Sequence, residues 1–279
     1  MANPLLTTTL TTLSYTTLYA LSTHLQTPTS DAPANLKAIS SLHATVTTGL
    51  ALYALSRPWT VKQPLAPLNL GLGKSSFNDS VNPLIAGRSA LGNAITGLET
   101  GYLLFDTLAL VYTTSRPSRA RERPVGPTSA VTLLAKQDPL TLTHHLSLLL
   151  GLGTLQHFIA HSRERGVYII LTFLLMNAST PLLHLRWWQR RESRMGRASV
   201  AMDALLAVVF AVARGGSVVW VLREYGRWHG LGAGVGAVWE ALRGQRWVCQ
   251  VGTGALLGLN GVWWGLLVRG IVRRVLRGK

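Results

Sequence analysis

Six stretches of this chain hold no more than two charged residues each over the length a helix needs to cross a bilayer, and that scarcity leaves few folds open. The runs lie at about 38–56, 90–113, 142–162, 167–186, 200–222 and 248–268. Each falls within or close to the roughly 17 to 25 residues that cross about 30 Å of hydrocarbon. A seventh, weaker run covers 5–25 and is rich in threonine (Thr7, Thr8, Thr9, Thr11, Thr12, Thr16, Thr17), which tolerates helix and strand alike. Lipid offers the backbone no hydrogen-bond partner, so runs of this kind fold with every N–H and C=O bonded internally, as helices. The expected fold is all-α, a polytopic transmembrane helical bundle of six to seven spans. Charged residues make up 14% of the chain, against about 25% in soluble domains, so no soluble domain is expected. The organisation reads as an N-terminal segment at 1–34 holding the weak first span, a membrane domain at 35–270 and a basic tail at 271–279.

A net charge of +16 would ordinarily point to nucleic acid, but the positions of the charges exclude that reading. Alternate connections (26–37, 114–141, 186–199 and 269–279) hold 16 of the 27 Lys and Arg residues, and the other set (57–89, 163–166 and 223–247) holds 10. Excess Lys and Arg marks the cytoplasmic side. The richer set is therefore expected in the cytosol, with the N-terminus lumenal and the C-terminus cytosolic. Asn78-Asp79-Ser80, a glycosylation acceptor triplet, falls in a loop this topology makes lumenal. Residues 57–89, with Pro58, Pro64, Pro67, Pro83, Gly71 and Gly73, read as an irregular re-entrant or surface loop. Residues 115–141, with Arg116, Arg119, Arg121 and Arg123, read as a flexible basic loop against anionic headgroups. The segment from Gly232 to Arg243 reads as interfacial and weakly helical, and Trp187, Trp188, Trp220, Trp263 and Trp264 fit an aromatic belt. Cys249 is the single cysteine, so no intrachain disulfide or cysteine metal cluster can form. No metal site or bound cofactor is expected. His145 and His157 stand twelve residues apart, roughly 18 Å along one helix, and cannot share a metal.

Polar residues inside the apolar runs carry the functional argument: His43, Glu99, Asp106, His144 and His145, His157, Asn177 with Ser179 and Thr180, Asp203 and Arg214. Each is costly in hydrocarbon and should face the bundle interior, pair, or line a wet cavity. Counted from the cytosolic ends of their spans, His145 lies about 5 Å deep, His43 about 8 Å, Asp106 about 12 Å and Asn177 about 14 Å. A cavity opening to the cytosolic leaflet is the expectation. A histidine beside an aspartate there can act as a general base on an amine or hydroxyl, the carboxylate orienting the ring, or the pair can simply fix helix packing. Adjacent helical residues point about 100° apart, so one of His144 and His145 should face inward.

Five motifs then fall in a familiar order on successive spans: SLHA at 41–44, ETGYLLFD at 99–106, the histidine pair at 144–145, NASTPLLHLRWW at 177–188 and FAVAR at 210–214. Together they resemble the TLC domain family over roughly residues 35 to 270. The resemblance implies a multi-pass membrane protein, endoplasmic reticular or related, concerned with lipid metabolism. Its partners would be membrane lipids, sphingolipids among them, and not nucleic acid. The family includes ceramide synthases, which join a fatty acyl-CoA to a sphingoid base; by resemblance their histidine pair matches His144 and His145, and their aspartate matches Asp106. Those three residues are the catalytic candidates, with acyl-CoA as co-substrate. His43, Glu99, Asn177, Ser179, Thr180 and Arg214 are the candidates for lipid binding. The His-Asp-x-x-Asp element of the synthases is missing, and Asn177 stands where many non-synthase relatives have a glutamate before Ser-Thr-Pro. The chain therefore resembles the non-synthase branch, and a lipid-binding protein that influences membrane lipid composition is the leading expectation, with an acyl-CoA-dependent N-acyltransferase as the alternative.

Overall fold

A computed structural model describes residues 3–24, 32–59, 61, 77–116, 124–191 and 197–277, without side chains at 24, 32, 197–199 and 277. The helices are α1 (Pro4–His24), α2 (Ala32–Leu55), α3 (Pro83–Ala86), α4 (Ala90–Ser115), α5 (Pro127–Gln137), α6 (Pro139–Ala160), α7 (Val167–Leu174), α8 (Thr180–Arg191), α9 (Arg197–Phe210), α10 (Ser217–Trp228), α11 (Val235–Gly244) and α12 (Trp247–Arg277). The protein is all-α, with no strand among the described residues.

Among the described residues, five stretches are both long and apolar enough to cross a membrane: Pro33–Leu55, Ala90–Ser115, Val167–Arg191, Val200–Trp228 and Trp247–Leu276. α1 and α6, with 21 and 22 residues, have the length, but threonines dilute the first, and His144, His145, Gln156 and His157 dilute the second. Most of the proline-rich loop, with Pro64, Pro67, Gly71 and Gly73, lies outside the described residues, as do Arg119, Arg121 and Arg123. Two connections are more ordered than their sequences imply. The second half of the basic loop is α5, opened by Pro127 at a position whose N–H would have no partner anyway. The glycine-rich interfacial segment contains α11, ten residues long. Burial on a neighbour explains the second case, because Ala241 of α11 packs within 3.2 Å of where a Cβ on Gly226 of α10 would stand. Tertiary contact there outweighs weak helix propensity.

The chain divides into two compact units, residues 1–43 with 93–164, and residues 44–92 with 165–279. In the first unit α1 docks on α4 through small residues. Thr8 and Thr12 donate hydroxyl hydrogen bonds to the carbonyls of Gly97 (3.4 Å) and Gly101 (3.0 Å). Two glycines four apart make a flat strip on α4 that lets the backbones approach closely, and the hydroxyls find their partners across it. The threonine-rich run is thus a helix that uses the Thr8 and Thr12 hydroxyls against α4, while those of Thr7 and Thr16 bond to carbonyls of its own segment. α6 starts where the Asp138 carboxylate accepts the Thr141 N–H at 3.2 Å and Pro139 sets the first turn. A core of Tyr19, Leu36, Ile39, Tyr102, Phe105 and Ala109 closes this unit.

A Cβ on Gly101 would stand 2.5 Å from the Thr8 carbonyl oxygen, and backbone cannot swing aside. Gly101→Ala is expected to destabilise by about 1–3 kcal/mol through overpacking, read as a lower thermal unfolding midpoint in detergent. Gly49→Ala, whose Cβ would meet nothing within 4 Å, serves as the control and should leave the midpoint unchanged or raised. Equal midpoints for the two variants would dismiss the close α1–α4 contact.

The second unit contains two breaks in helical winding. Leu175–Ser179 is a 3₁₀ turn between α7 and α8, and Ala211–Gly216 is a π-helical turn between α9 and α10. Pro181 accounts for the first, since its ring removes an N–H and crowds the carbonyl of Asn177. The two irregular turns pack against each other. Around them lie the cores of Met176, Val218 and Leu222 and of Leu206, Phe210 and Leu267.

Candidate functional site

Glu99, Tyr102 and Asp106 stand at i, i+3 and i+7 on α4 and so share one helical face. In the first unit that face carries two histidine–carboxylate pairs. His43 Nε2 lies 2.9 Å from Glu99 Oε2. An ionised carboxylate can only accept, so Nε2 carries the proton. Nδ1 of the same ring is 2.8 Å from the Tyr15 hydroxyl, which donates to it in the neutral imidazole. The Tyr102 ring lies flat on His43, centroids 3.6 Å and planes 11° apart. Tyr15 packs edge-on at 5.4 Å. His43 is 1% exposed and Glu99 9%. This is a sealed Tyr15–His43–Glu99 relay tying α1, α2 and α4 together.

The second pair is more open. His145 Nε2 is 3.6 Å from Asp106 Oδ2, with side chains 10% and 17% exposed. The Thr107 hydroxyl donates to the Leu103 carbonyl at 2.7 Å and has one proton to give, so toward His145 Nδ1, 3.0 Å away, it can only accept. Nδ1 therefore carries hydrogen and Nε2 of the neutral ring holds the free lone pair. Sequence reasoning made Asp106 the group that orients the ring, and the geometry reassigns that task to Thr107. Asp106 faces Nε2, and the 3.6 Å gap is too long for a direct hydrogen bond. Gln156 donates to Thr96 at 3.2 Å. That contact and Thr107–His145 are eleven residues apart on both helices and run in opposite senses, so α4 and α6 form an antiparallel seam.

The histidine pair splits as its helical spacing requires: His145 is buried and His144 half-buried. His157, expected to face inward, is exposed on α6 with its ring 4.4 Å from that of His161. Position 157 is turned roughly 100–140° around α6 from His145, Leu152 and Gln156, off their buried stripe, which explains the difference. Among the described residues no group of three His, Cys, Asp or Glu side chains converges as a metal would require.

The remaining candidates lie in the second unit. Arg214, in the π turn, donates from Nε to Ser179 Oγ at 3.1 Å and from Nη1 to Asn260 Oδ1 at 3.0 Å. Phe210 and Trp263 present ring faces to its guanidinium at 4.6 and 5.6 Å. The winding defect turns Arg214 toward the 3₁₀ break, so the two irregular turns are joined by a side chain. Asn177 is half-buried and donates to the Thr47 hydroxyl at 3.4 Å; Thr180, half-buried, opens α8. Asp203 is 1% exposed and ringed by Arg186, Arg190 at 3.9 Å and Arg274 at 2.6 Å. Tyr15, Tyr102, Thr107 and Asn260 are absent from the sequence candidates. Tyr102 was legible as the residue between Glu99 and Asp106 on one face, and Asn260 as a polar residue in an apolar run. Nothing local marks Tyr15 or Thr107, whose roles arise only from helix contact.

Buried histidine–carboxylate pairs, an arginine at paired helix breaks and five apolar spans define a polytopic helical membrane protein with a polar interior. The TLC domain model matches residues 34–269, most of the chain and both units, so this chain belongs to the TLC domain family. No curated protein and no solved structure gives a significant match to it.

Proposed function

We propose that this protein binds lipid or acyl chains within the membrane and thereby influences membrane lipid composition, holding the polar end of its ligand at Asp106 and His145. The observation that carries this is the gap itself: an imidazole lone pair and a carboxylate oxygen, 3.6 Å apart, both accept toward one spot. Such a spot takes a donor, the hydroxyl or amide N–H of a sphingolipid or a free hydroxyl of a glycerolipid. The neighbouring His43–Glu99 pair is already closed on itself and stiffens the wall behind. Asn177, Ser179, Thr180 and Arg214 supply further polar contacts for lipid in the second unit. An endoplasmic reticulum membrane, implied by the family, and a lumenal N-terminus with a cytosolic C-terminus, supported by the distribution of Lys and Arg, belong to the same proposal.

The free Nε2 of His145 favours a second reading, acyl transfer. An amine held at the spot would attack the thioester carbonyl of an acyl-CoA while Nε2 takes its proton, and the departing thiolate would recover that proton. The asparagine at 177 and the missing synthase element weigh toward binding.

Lipid profiles of cells lacking the protein test both readings. Wild type and His157→Ala should restore the profile, and His145→Ala and Asp106→Asn should not. Restoration by His145→Ala equal to wild type would sink any role for the pair. In vitro acyl transfer from acyl-CoA to a sphingoid base, lost in His145→Ala, would select the enzyme over the binder.

A further inference from the structure

The second unit holds a cleft of about 370 Å³ that the proposed function does not use. Its size lies in the range of small-molecule sites, roughly 300–1,000 Å³. The walls are Trp59, Tyr168 and Trp228, with Leu84 of α3, and Glu224 and Arg227 stand beside them. Trp59 is fixed by its indole N–H donating to the Ala54 carbonyl at 3.1 Å. The Trp59 and Tyr168 rings pack on each other almost at right angles, 83°, with centroids 5.1 Å apart, and Tyr168 stacks on Trp220 at 6.1 Å, so these rings form a closed wall beside the exposed Trp228. Glu224, Arg227 and Trp228 sit at i, i+3 and i+4 of α10, one surface of one helix. Arg227 Nη2 pairs with Glu224 Oε2 at 2.7 Å but is 75% exposed, so it is free to turn outward. Trp228 is 50% exposed, a large apolar surface left uncovered at the cleft.

Position adds the second half of the argument. Trp59 follows the end of one apolar span, Tyr168 begins another and Glu224 to Trp228 close a third. The cleft therefore lies where spans end, at the depth of lipid headgroups.

We propose that this cleft binds a phosphocholine headgroup: the exposed Trp228 ring and Glu224 take the quaternary ammonium, and Arg227 takes the phosphate. Aromatic faces attract a cation that offers no N–H. A primary ammonium carries three donors that want acceptors, and among the charged groups lining the cleft only the Glu224 carboxylate accepts. A neighbouring carboxylate and guanidinium match a zwitterion, and a phosphate between Arg227 and solvent needs no desolvated anion. The ligand is a membrane lipid such as phosphatidylcholine or sphingomyelin. The site shares no residue with Asp106 and His145, so it stands or falls separately from the lipid-handling reading.

The test uses the full chain in phosphatidylglycerol nanodiscs with graded phosphatidylcholine or phosphatidylethanolamine, read by tryptophan emission and thermal midpoint. Phosphatidylcholine should shift both with saturation, and phosphatidylethanolamine should require about tenfold more lipid. Trp228→Leu and Glu224→Gln should each weaken the response about tenfold, within the span of cation–π energies, whereas Trp228→Phe should keep most of it. Equal responses to the two lipids, or full binding by Trp228→Leu, would overturn the proposal in favour of an ordinary aromatic belt. Soluble phosphocholine added to phosphatidylglycerol discs should act only at far higher concentration; an equal response to it would overturn the lipid as the source. His157→Ala, exposed on α6, should leave every one of these responses unchanged.

Discussion

His43→Ala is expected to lower the thermal unfolding midpoint in detergent by on the order of 10 °C, more than any other single change in the first unit. The side chain is 1% exposed, and its removal takes from the Glu99 carboxylate, itself 9% exposed, the histidine partner 2.9 Å away. Breaking a buried pair from one side costs about 3–5 kcal/mol, because the survivor stays desolvated and uncompensated. The Tyr15 hydroxyl and the face of Tyr102 lose their partner in the same step. Tyr15→Phe should cost only about 1 kcal/mol, a single net hydrogen bond. The double variant His43→Ala/Glu99→Gln should be more stable than His43→Ala alone, since it removes the buried charge as well. If the double variant were instead as unstable as the sum of the two single ones, the pair would not be coupled and the sealed relay would be abandoned.

Asp203→Ala is expected to be at least as damaging, through the opposite sign of charge. Asp203 is 1% exposed and stands among Arg186, Arg190 and Arg274, drawn from α8 and α12 around α9. Without the carboxylate, three guanidinium groups would face each other with Arg186 and Arg274 still largely buried, their side chains 15% and 21% exposed. The expected loss is again about 3–5 kcal/mol, and the packing of α9 on α12 should loosen. Asp203→Asn tests whether charge or shape matters, because the amide keeps the volume and one acceptor but not the negative charge. It should fall close to Asp203→Ala. A wild-type midpoint in Asp203→Asn would show that the arginines are solvated and that the cluster does not hold the helices.

These two clusters were unequally visible in the sequence. Glu99 and Asp106 stood out because a carboxylate in an apolar run has no place to go but inward, and His43 and His145 for the same reason. Asp203 was visible in the same way, but its three arginines looked like ordinary cytosolic-end charges. Their convergence depends on the ends of α8 and α12 meeting α9, which no local pattern records. His157 shows the reverse error. It occupies the same helix as His145, twelve residues on, which turns it roughly 120° away from the buried stripe. The threonine-rich first run was ambiguous in isolation, since threonine has weak preferences of its own. Gly97 and Gly101 resolve it by offering carbonyls and a flat surface, and that contact is made between residues nearly ninety positions apart.

By itself the sequence determined that this chain folds as membrane helices, roughly where each lies, that it is a TLC domain protein, and which polar residues must be satisfied inside. Hydropathy is a property of local segments, and the demand that lipid makes on backbone and charge acts on each segment alone. Only the tertiary structure decided the pairings: Tyr15 with His43, Thr107 with the ring of His145, Arg214 with Ser179 and Asn260, three arginines with one aspartate. A polar group in hydrocarbon is satisfied by whichever helix happens to pack against it, so its partner is set by helix contacts and not by distance along the chain.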